Sequence, residues 1–98
     1  MSETILTLET FQPHLGSVFA IPLAQGRFEL TLVEVSPLPS RAPDAQREPF
    51  TLLFRGPSTP VLPQRIYPLE HQTLGRQEIF IVPIGSDGAG MRYEAVFN

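Results

Sequence analysis

The chain has 98 residues, of which 42% are hydrophobic and 17% charged, and this composition is typical of a folded globular domain. At this length folding buries about 65% of the extended surface, so we predict a single domain over residues 1–98. With no Cys and no Lys, the sequence excludes disulfides, thiolate metal sites, Schiff-base chemistry and a P-loop lysine. The net charge of −3 selects no class of partner and disfavours nucleic-acid binding.

A short helical segment is predicted near the N-terminus. Thr7 can act as an N-cap, and Leu8 and Phe11 are three positions apart, so they share one face of a helix. Pro13 and Gly16 prevent the helix from lengthening. We therefore expect one or two helical turns that form a lid over one end of a barrel.

From Gly16 onward the chain has the alternation of β-strands separated by turn residues. Six segments have this pattern: 17–23, 27–35, 48–55, 64–71, 77–84 and 91–97. Short strands at this spacing predict an all-β fold, a small antiparallel barrel or roll of about six strands with one short N-terminal helix. The same layout occurs in Sm-like and SH3-like barrels, an analogy at the level of the fold alone.

The second strand segment changes its apolar face part of the way along. Phe28, Leu30 and Leu32 alternate with polar residues, whereas Val33 and Val35 continue the apolar set in the opposite phase. Since the side-chain period of a strand is two, this change predicts a bulge or a sharp bend.

Proline marks two further features of the predicted barrel. Residues 36–47 contain three prolines and no periodicity, so we expect an extended Pro-rich loop there. Pro68 lies within the fourth strand segment and has no N–H group to donate, which excludes a central strand that is paired along its full length.

Several runs of residues together resemble a known family. They are REPFTLLFRGP at 47–57, LPQ at 62–64, YPLEHQTLG at 67–75, EIFIVPIG at 78–85 and RYEAVFN at 92–98. With these runs the chain resembles a family of bacterial proteins of about this length that is classed as a domain of unknown function. The resemblance covers almost the whole chain and suggests an association with fibre or collar proteins of the phage-tail type. It implies no catalytic residue.

The residues give little support to catalysis or to a metal site. The two histidines, His14 and His71, do not have the spacing of a metal site, and no Ser lies in a G-x-S-x-G elbow. We expect no cofactor and no bound metal. A candidate for a ligand pocket is the barrel mouth near Tyr67 and His71. The alternative for His71 is a structural one, a hydrogen bond to a turn carbonyl at the end of its strand.

The net charge and the positions of the aromatic and apolar residues indicate which class of partner the chain binds. The aromatic residues, Phe80 among them, mostly fall in core phase, so few remain to stack on bases, and nucleic-acid binding in the manner of Sm-like barrels is the less favoured alternative. The apolar run of residues 79–82 has hydrophobic side chains on both faces, which predicts an outward patch buried against another protein or a second copy. The candidate interface residues are Leu53, Ile79, Ile81, Val96 and Arg92.

Taken together, these observations predict a non-enzymatic protein-interaction or assembly module. The main alternatives are an Sm-like nucleic-acid-binding barrel and a small-molecule or enzymatic pocket at the barrel mouth. No apolar run approaches the ~20 residues that cross a bilayer, and the N-terminal residues are acidic and unlike a signal peptide, so we expect a cytoplasmic protein.

Overall fold

The computed structural model describes residues 6–39 and 49–97, in which a short helical segment precedes six strands. The helix α1 spans Leu8–Phe11 and continues into a 3-10 turn at Gln12–His14. The strands are β1 Val18–Leu23, β2 Gly26–Pro37, β3 Phe50–Gly56, β4 Arg65–His71, β5 Gly75–Ser86 and β6 Met91–Phe97. Of the predicted 36–47 loop, residues 36 and 37 belong to β2, and residues 40–47 lie outside the described residues.

The six strands close into an antiparallel barrel in the order β1-β2-β3-β6-β5-β4, which confirms the predicted fold class. The barrel consists of two three-stranded meanders, β1–β3 and β4–β6. In each meander the middle strand has 12 residues and contains a bulge, between Leu32 and Glu34 in β2 and between Pro83 and Gly85 in β5. The first bulge confirms the prediction from the change of apolar face. The likeness of the two halves is not visible as a sequence repeat.

The two meanders meet at two junctions of very different strength. β3 pairs with β6 over seven residues, whereas β1 pairs with β4 through one residue pair, Ala20 with Glu70. Continuing that antiparallel register by two residues brings Pro22 opposite Pro68. Alternate residues of a strand direct their backbone groups to the same neighbour, so both prolines face this junction without an N–H donor. The ladder therefore stops at this point, as Pro68 predicted.

The N-terminal segment covers one end of the barrel, as the sequence predicts. Thr7 and Thr10 form a capping box, in which the Thr7 side chain accepts from the Thr10 N–H and the Thr10 side chain accepts from the Thr7 N–H. Phe11 is fully buried, and its ring lies 6.3 Å from that of Phe19, 6.0 Å from that of Phe50 and 5.7 Å from that of Phe97. This packing of aromatic rings closes the barrel end.

The described part of the chain contains no helix with the length and apolar character needed to span a membrane.

The hairpin between β5 and β6 is fixed to β3 by an ion pair. Arg55 donates from Nε to Oδ2 of Asp87 at 2.8 Å, and Oδ1 of Asp87 accepts from the backbone N–H groups of Ala89 and Gly90. The bond from Arg55 is the largest cause that lowers the pKa of Asp87 from 3.8 to about 2, with the N–H of Ala89 next. Asp87 thus stabilises the turn through these N–H groups and also anchors it to β3.

Replacing Arg55 by Met is expected to raise the pKa of Asp87 from about 2 toward 3.8, because the strongest donor to the carboxylate is lost. A carboxyl group whose pKa is lowered on folding stabilises the folded state at pH values above its pKa in the unfolded chain. That stabilisation is lost as the pH falls toward 2. Carboxyl 13C NMR titration measures the change. Arg92→Met is the control, since Arg92 donates to the carbonyl of Gly85 instead. An unchanged pKa in Arg55→Met would assign the effect to the turn N–H groups.

Candidate functional site

Apolar side chains form a continuous strip on the outside of the barrel, across the neighbouring strands β4, β5, β6 and β3. Ile66 and Phe80 face each other as a cross-strand pair and are 59% and 50% exposed, and Val96 on β6 is 51% exposed. Val82 and Leu53 are half-buried and both lie opposite Glu94. We call these residues the outer strip: Leu53, Ile66, Phe80, Val82 and Val96.

The structure corrects two of the candidate interface residues. Ile79 and Ile81 are 2% and 0% exposed and belong to the core, so neither can line an outer surface. Phe80, which was assigned to the core phase, is the residue of β5 that faces outward. The prediction was wrong because residues 79–82 are apolar in both phases, and the pattern alone does not show which set points inward.

The remaining candidates do lie on the outer face. Leu53 and Val96 are members of the outer strip, on the adjacent strands β3 and β6. Arg92 is half-buried beside the strip, and its Nε donates to the carbonyl of Gly85 at 3.3 Å. Glu94 is the charged group enclosed by the strip, since its neighbours on both sides are Val82 and Leu53.

Tyr67, a candidate pocket residue, forms a hydrogen bond to the segment between β3 and β4. It is 8% exposed, and its hydroxyl donates to the carbonyl of Pro63 at 2.7 Å. The hydroxyl of the fully buried Tyr93 accepts from the N–H of Leu62 at 2.9 Å. Both tyrosines thus fasten the segment that connects β3 to β4, and the hydroxyl of Tyr67 is already engaged.

His71, the other candidate pocket residue, lies at the end of β4 under the lid. Its Nδ1 accepts from the backbone N–H groups of Thr73 at 3.0 Å and Leu74 at 3.2 Å. Its Nε2 lies 3.0 Å from Oγ of Ser17, which in turn donates to the carbonyl of His14. The expected turn contact of His71 therefore exists, but its partners are N–H groups and not a carbonyl.

These partners determine the tautomer of His71. A backbone N–H can only donate, so Nδ1 carries no proton, and the proton of the neutral ring is on Nε2. Nε2 then donates to Oγ of Ser17, and the Ser17 hydroxyl donates to the backbone carbonyl of His14. A serine nucleophile needs the opposite arrangement, in which Nε2 accepts the hydroxyl proton. The contact between Ser17 and His71 thus has the residue types of a catalytic pair in an arrangement that does not activate the serine.

Sequence reasoning missed the contact between Ser17 and His71 altogether. The two residues are 54 positions apart, and only closure of the barrel brings the start of β1 to the end of β4. A period-2 pattern assigns faces within a strand but does not show which strands become neighbours. No local signal in the sequence could have revealed this contact.

A groove of about 340 Å³ runs along the outside of the junction between β1 and β4. Ala20 lies in its lining between an ion pair and an acid. The ion pair joins Arg27 to Glu29 at 3.1 Å, and the acid is Glu70. His71 and Ser17 also line the groove, whereas Tyr67 does not. Within residues 6–39 and 49–97, no three histidine or carboxylate side chains come together in a group that could hold a metal ion.

The environment of His71 disfavours its charged form. Burial of the ring lowers its pKa from the ordinary value, and the nearby His14, whose ring centroid is 4.6 Å away, lowers it further. Phe19 covers the ring at the same centroid distance. The contact with Phe19, the neighbouring imidazole of His14 and the hydrogen bonds to Nδ1 therefore all favour the neutral form of His71.

Comparison with known proteins agrees with the resemblance seen in the sequence. No curated protein and no solved structure matches the chain. A family model does match, and it covers residues 6–97, from the residue before Thr7 to the end of β6. The chain therefore belongs to the family described as domain of unknown function DUF6916.

Proposed function

We propose that the chain is a non-enzymatic protein-interaction or assembly module, in which the outer strip packs against another protein chain. The observation that carries the proposal is the exposure of Ile66, Phe80 and Val96, three large apolar side chains that lie together on the outer face. Single apolar residues on a surface are ordinary, but a continuous patch is typical of a contact surface. A large aromatic side chain at its centre is the residue type that dominates interface energies.

The barrel architecture favours a contact through a face. Each strand of the closed barrel has a neighbouring strand on both sides, which disfavours the addition of a strand from another chain and favours a partner that packs against side chains. Because an apolar strip is complementary to another apolar strip, a second copy of the chain is the first partner to test. The resemblance of the sequence also suggests bacterial fibre or collar proteins of the phage-tail type as partners. The apolar runs and the N-terminal residues are the basis on which we expect the cytoplasm as the setting.

Charge supports a protein partner over a nucleic acid. Phe80 is exposed and could stack on a base, but the charged group enclosed by the strip is the carboxylate of Glu94. A carboxylate repels the phosphate backbone, whose attraction to basic groups supplies most of the affinity in nucleic-acid binding. The hydrogen bonds of Tyr67 and His71 likewise support a module without a catalytic pocket at the barrel mouth.

The proposal is tested by the mass in solution, measured by light scattering on a sizing column at several concentrations. We expect a mass above the 10.9 kDa of one chain that increases with concentration, and a return to one chain in Phe80→Glu, because a charge in the strip must be desolvated on contact. Leu23→Glu is the matched control, since Leu23 is 51% exposed but lies on β1, outside the outer strip. It should behave as the parent does.

Two results would contradict self-assembly through the outer strip. One is a parent protein that has the mass of a single chain at every concentration. The other is an oligomer that Phe80→Glu leaves intact. A circular dichroism spectrum of each variant shows whether the barrel is still folded, so that loss of assembly is not mistaken for loss of structure.

A further inference from the structure

One buried imidazole joins the N-terminal lid to the turn between β4 and β5. The lid is the segment of residues 6–16, and the turn is formed by residues 72–74. His71 lies between them, 7% exposed, with the turn N–H groups on Nδ1 and Ser17 on Nε2. Ser17 completes the connection by donating to the carbonyl of His14 in the lid.

Every hydrogen bond in this connection has a fixed direction. The N–H groups of Thr73 and Leu74 donate to Nδ1, Nε2–H donates to Ser17, and Ser17 donates to His14. A proton on Nδ1 would face two donors and leave both of them without an acceptor. The bonds to the turn therefore exist only while the ring is neutral, whereas the bond from Nε2–H to Ser17 is compatible with either charge state.

We propose that His14, Ser17 and His71 form an acid-sensitive latch, in which protonation of His71 breaks its bonds to the β4–β5 turn, so that the lid is no longer tied to that turn and leaves the barrel end more easily. The latch goes beyond the proposed protein contact, since it involves none of the outer-strip residues.

The charged groups around His71 do not stabilise an imidazolium. From the lid, the His14 ring meets it edge-on and contributes to the lowering of the pKa of His71. From β1, the uncharged Phe19 covers it. Along the groove outside the β1–β4 junction lie two bases and two acids, whose charges balance: Arg27, Glu29, Glu70 and Arg76. None of the hydrogen bonds that the described residues make to the ring comes from a carboxylate.

The pH range of the latch follows from the direction of the shift. Burial first, and His14 second, lower the pKa of His71 below the 6.5 that the free side chain has. A lowered pKa means that the unfolded or opened chain binds the proton more readily than the closed one. The latch therefore holds above pH 6.5 and weakens progressively as the pH falls below that value toward the lowered pKa.

Opening of the latch can leave the rest of the barrel intact. Two hydrogen bonds attach the last residue of the lid and the residue after it to β2. The N–H of Gly16 donates to the carbonyl of Leu32 at 2.8 Å, and the carbonyl of Ser17 accepts from the N–H of Leu32 at 3.1 Å. Gly16 has a φ of 87°, which a glycine adopts without strain, so it can act as the hinge. What opening uncovers is the aromatic cluster around Phe11 at the barrel end.

Amide hydrogen exchange followed by NMR tests the latch. From about pH 7.5 to about pH 5, the protection factors of the Thr73 and Leu74 amides should fall by about tenfold or more, together with those of the lid. The matched control is His71→Asn, because the Asn side-chain oxygen can accept from the same turn N–H groups but binds no proton in this range. Its protection factors should be independent of pH. In His14→Gln the fall should be smaller, since the second cause that lowers the pKa of His71 is removed.

A second measurement keeps the test decisive if His71→Asn does not fold. The ring nitrogens of His71 in the unmodified protein are titrated by 15N NMR, which reports both the tautomer and the protonation. Loss of amide protection with the same midpoint as the ring supports the latch. The proposal is overturned if the neutral ring carries its proton on Nδ1, if the ring titrates while the turn and the lid stay protected, or if His71→Asn shows the same fall.

Discussion

Phe11→Ala is expected to lower the free energy of unfolding by about 3–5 kcal/mol, the range for truncating a fully buried phenylalanine. The side chain is 0% exposed and contacts three further aromatic rings, those of Phe19, Phe50 and Phe97. A helix of four residues has little stability of its own, and burial of Phe11 is the main apolar contact that keeps it on the barrel. Loss of this ring removes both the core contact and the anchor of the lid.

Urea denaturation of the parent and of the variant, followed by circular dichroism, measures this loss. Leu15→Ala serves as the control from the same segment, because Leu15 is 48% exposed and a surface change of this kind is worth about 0.5 kcal/mol or less. If Phe11→Ala were no less stable than Leu15→Ala, the lid would contribute nothing to the stability of the barrel.

Gly90→Ala is expected to cost about 3 kcal/mol or more, the upper end of the range for overpacking, because β3 and the turn before β6 approach too closely for a methyl group. A Cβ atom at Gly90 would lie well under 3.0 Å from the carbonyl oxygen of Gly56 and 3.1 Å from Cγ of Arg55. The nearest atom belongs to the backbone, which is part of the seven-pair ladder between β3 and β6 and cannot move alone. The cost is steric, since the φ of Gly90 is outside the left-handed region.

Gly56→Ala provides the graded comparison for this prediction. A Cβ atom at Gly56 would lie 2.8 Å from Cδ2 of Leu30 and 3.2 Å from Cε1 of Phe28, and the Leu30 atom is the end of a side chain that can rotate. We therefore expect a smaller loss than in Gly90→Ala. Thermal and urea denaturation of both variants would show this order, and equal losses would contradict the distinction between a backbone and a side-chain collision.

Much of the barrel could be predicted because each strand has a local alternation of apolar and polar residues. Alternation located six strands, and the change of phase after Leu32 located a bulge, since each depends only on neighbours in the chain. The Thr7 cap and the apolar pair of Leu8 and Phe11 located the lid in the same way. Each of these features depends on residues that are close together in the chain, so a local sequence pattern is enough to predict it.

The candidate sites were harder to predict because they depend on contacts between distant segments. For β5 both phases are apolar, and only the packing of Ile79 and Ile81 into the core shows that Phe80 faces outward. The contact of Ser17 with His71 depends on which strands become neighbours at barrel closure. Period and spacing do not contain that information, and neither residue type is unusual at its position.

The pair of prolines at the β1–β4 junction has a consequence for aggregation. This junction has a single paired position, so it is the place where the barrel opens most easily, and opening would create two free strand edges. Such edges recruit strands from other molecules through their unpaired N–H and C=O groups. Pro22 and Pro68 lie on these two edges and lack the donor that an incoming strand would need. The weakest junction of the barrel thus carries its own protection against the formation of intermolecular sheets.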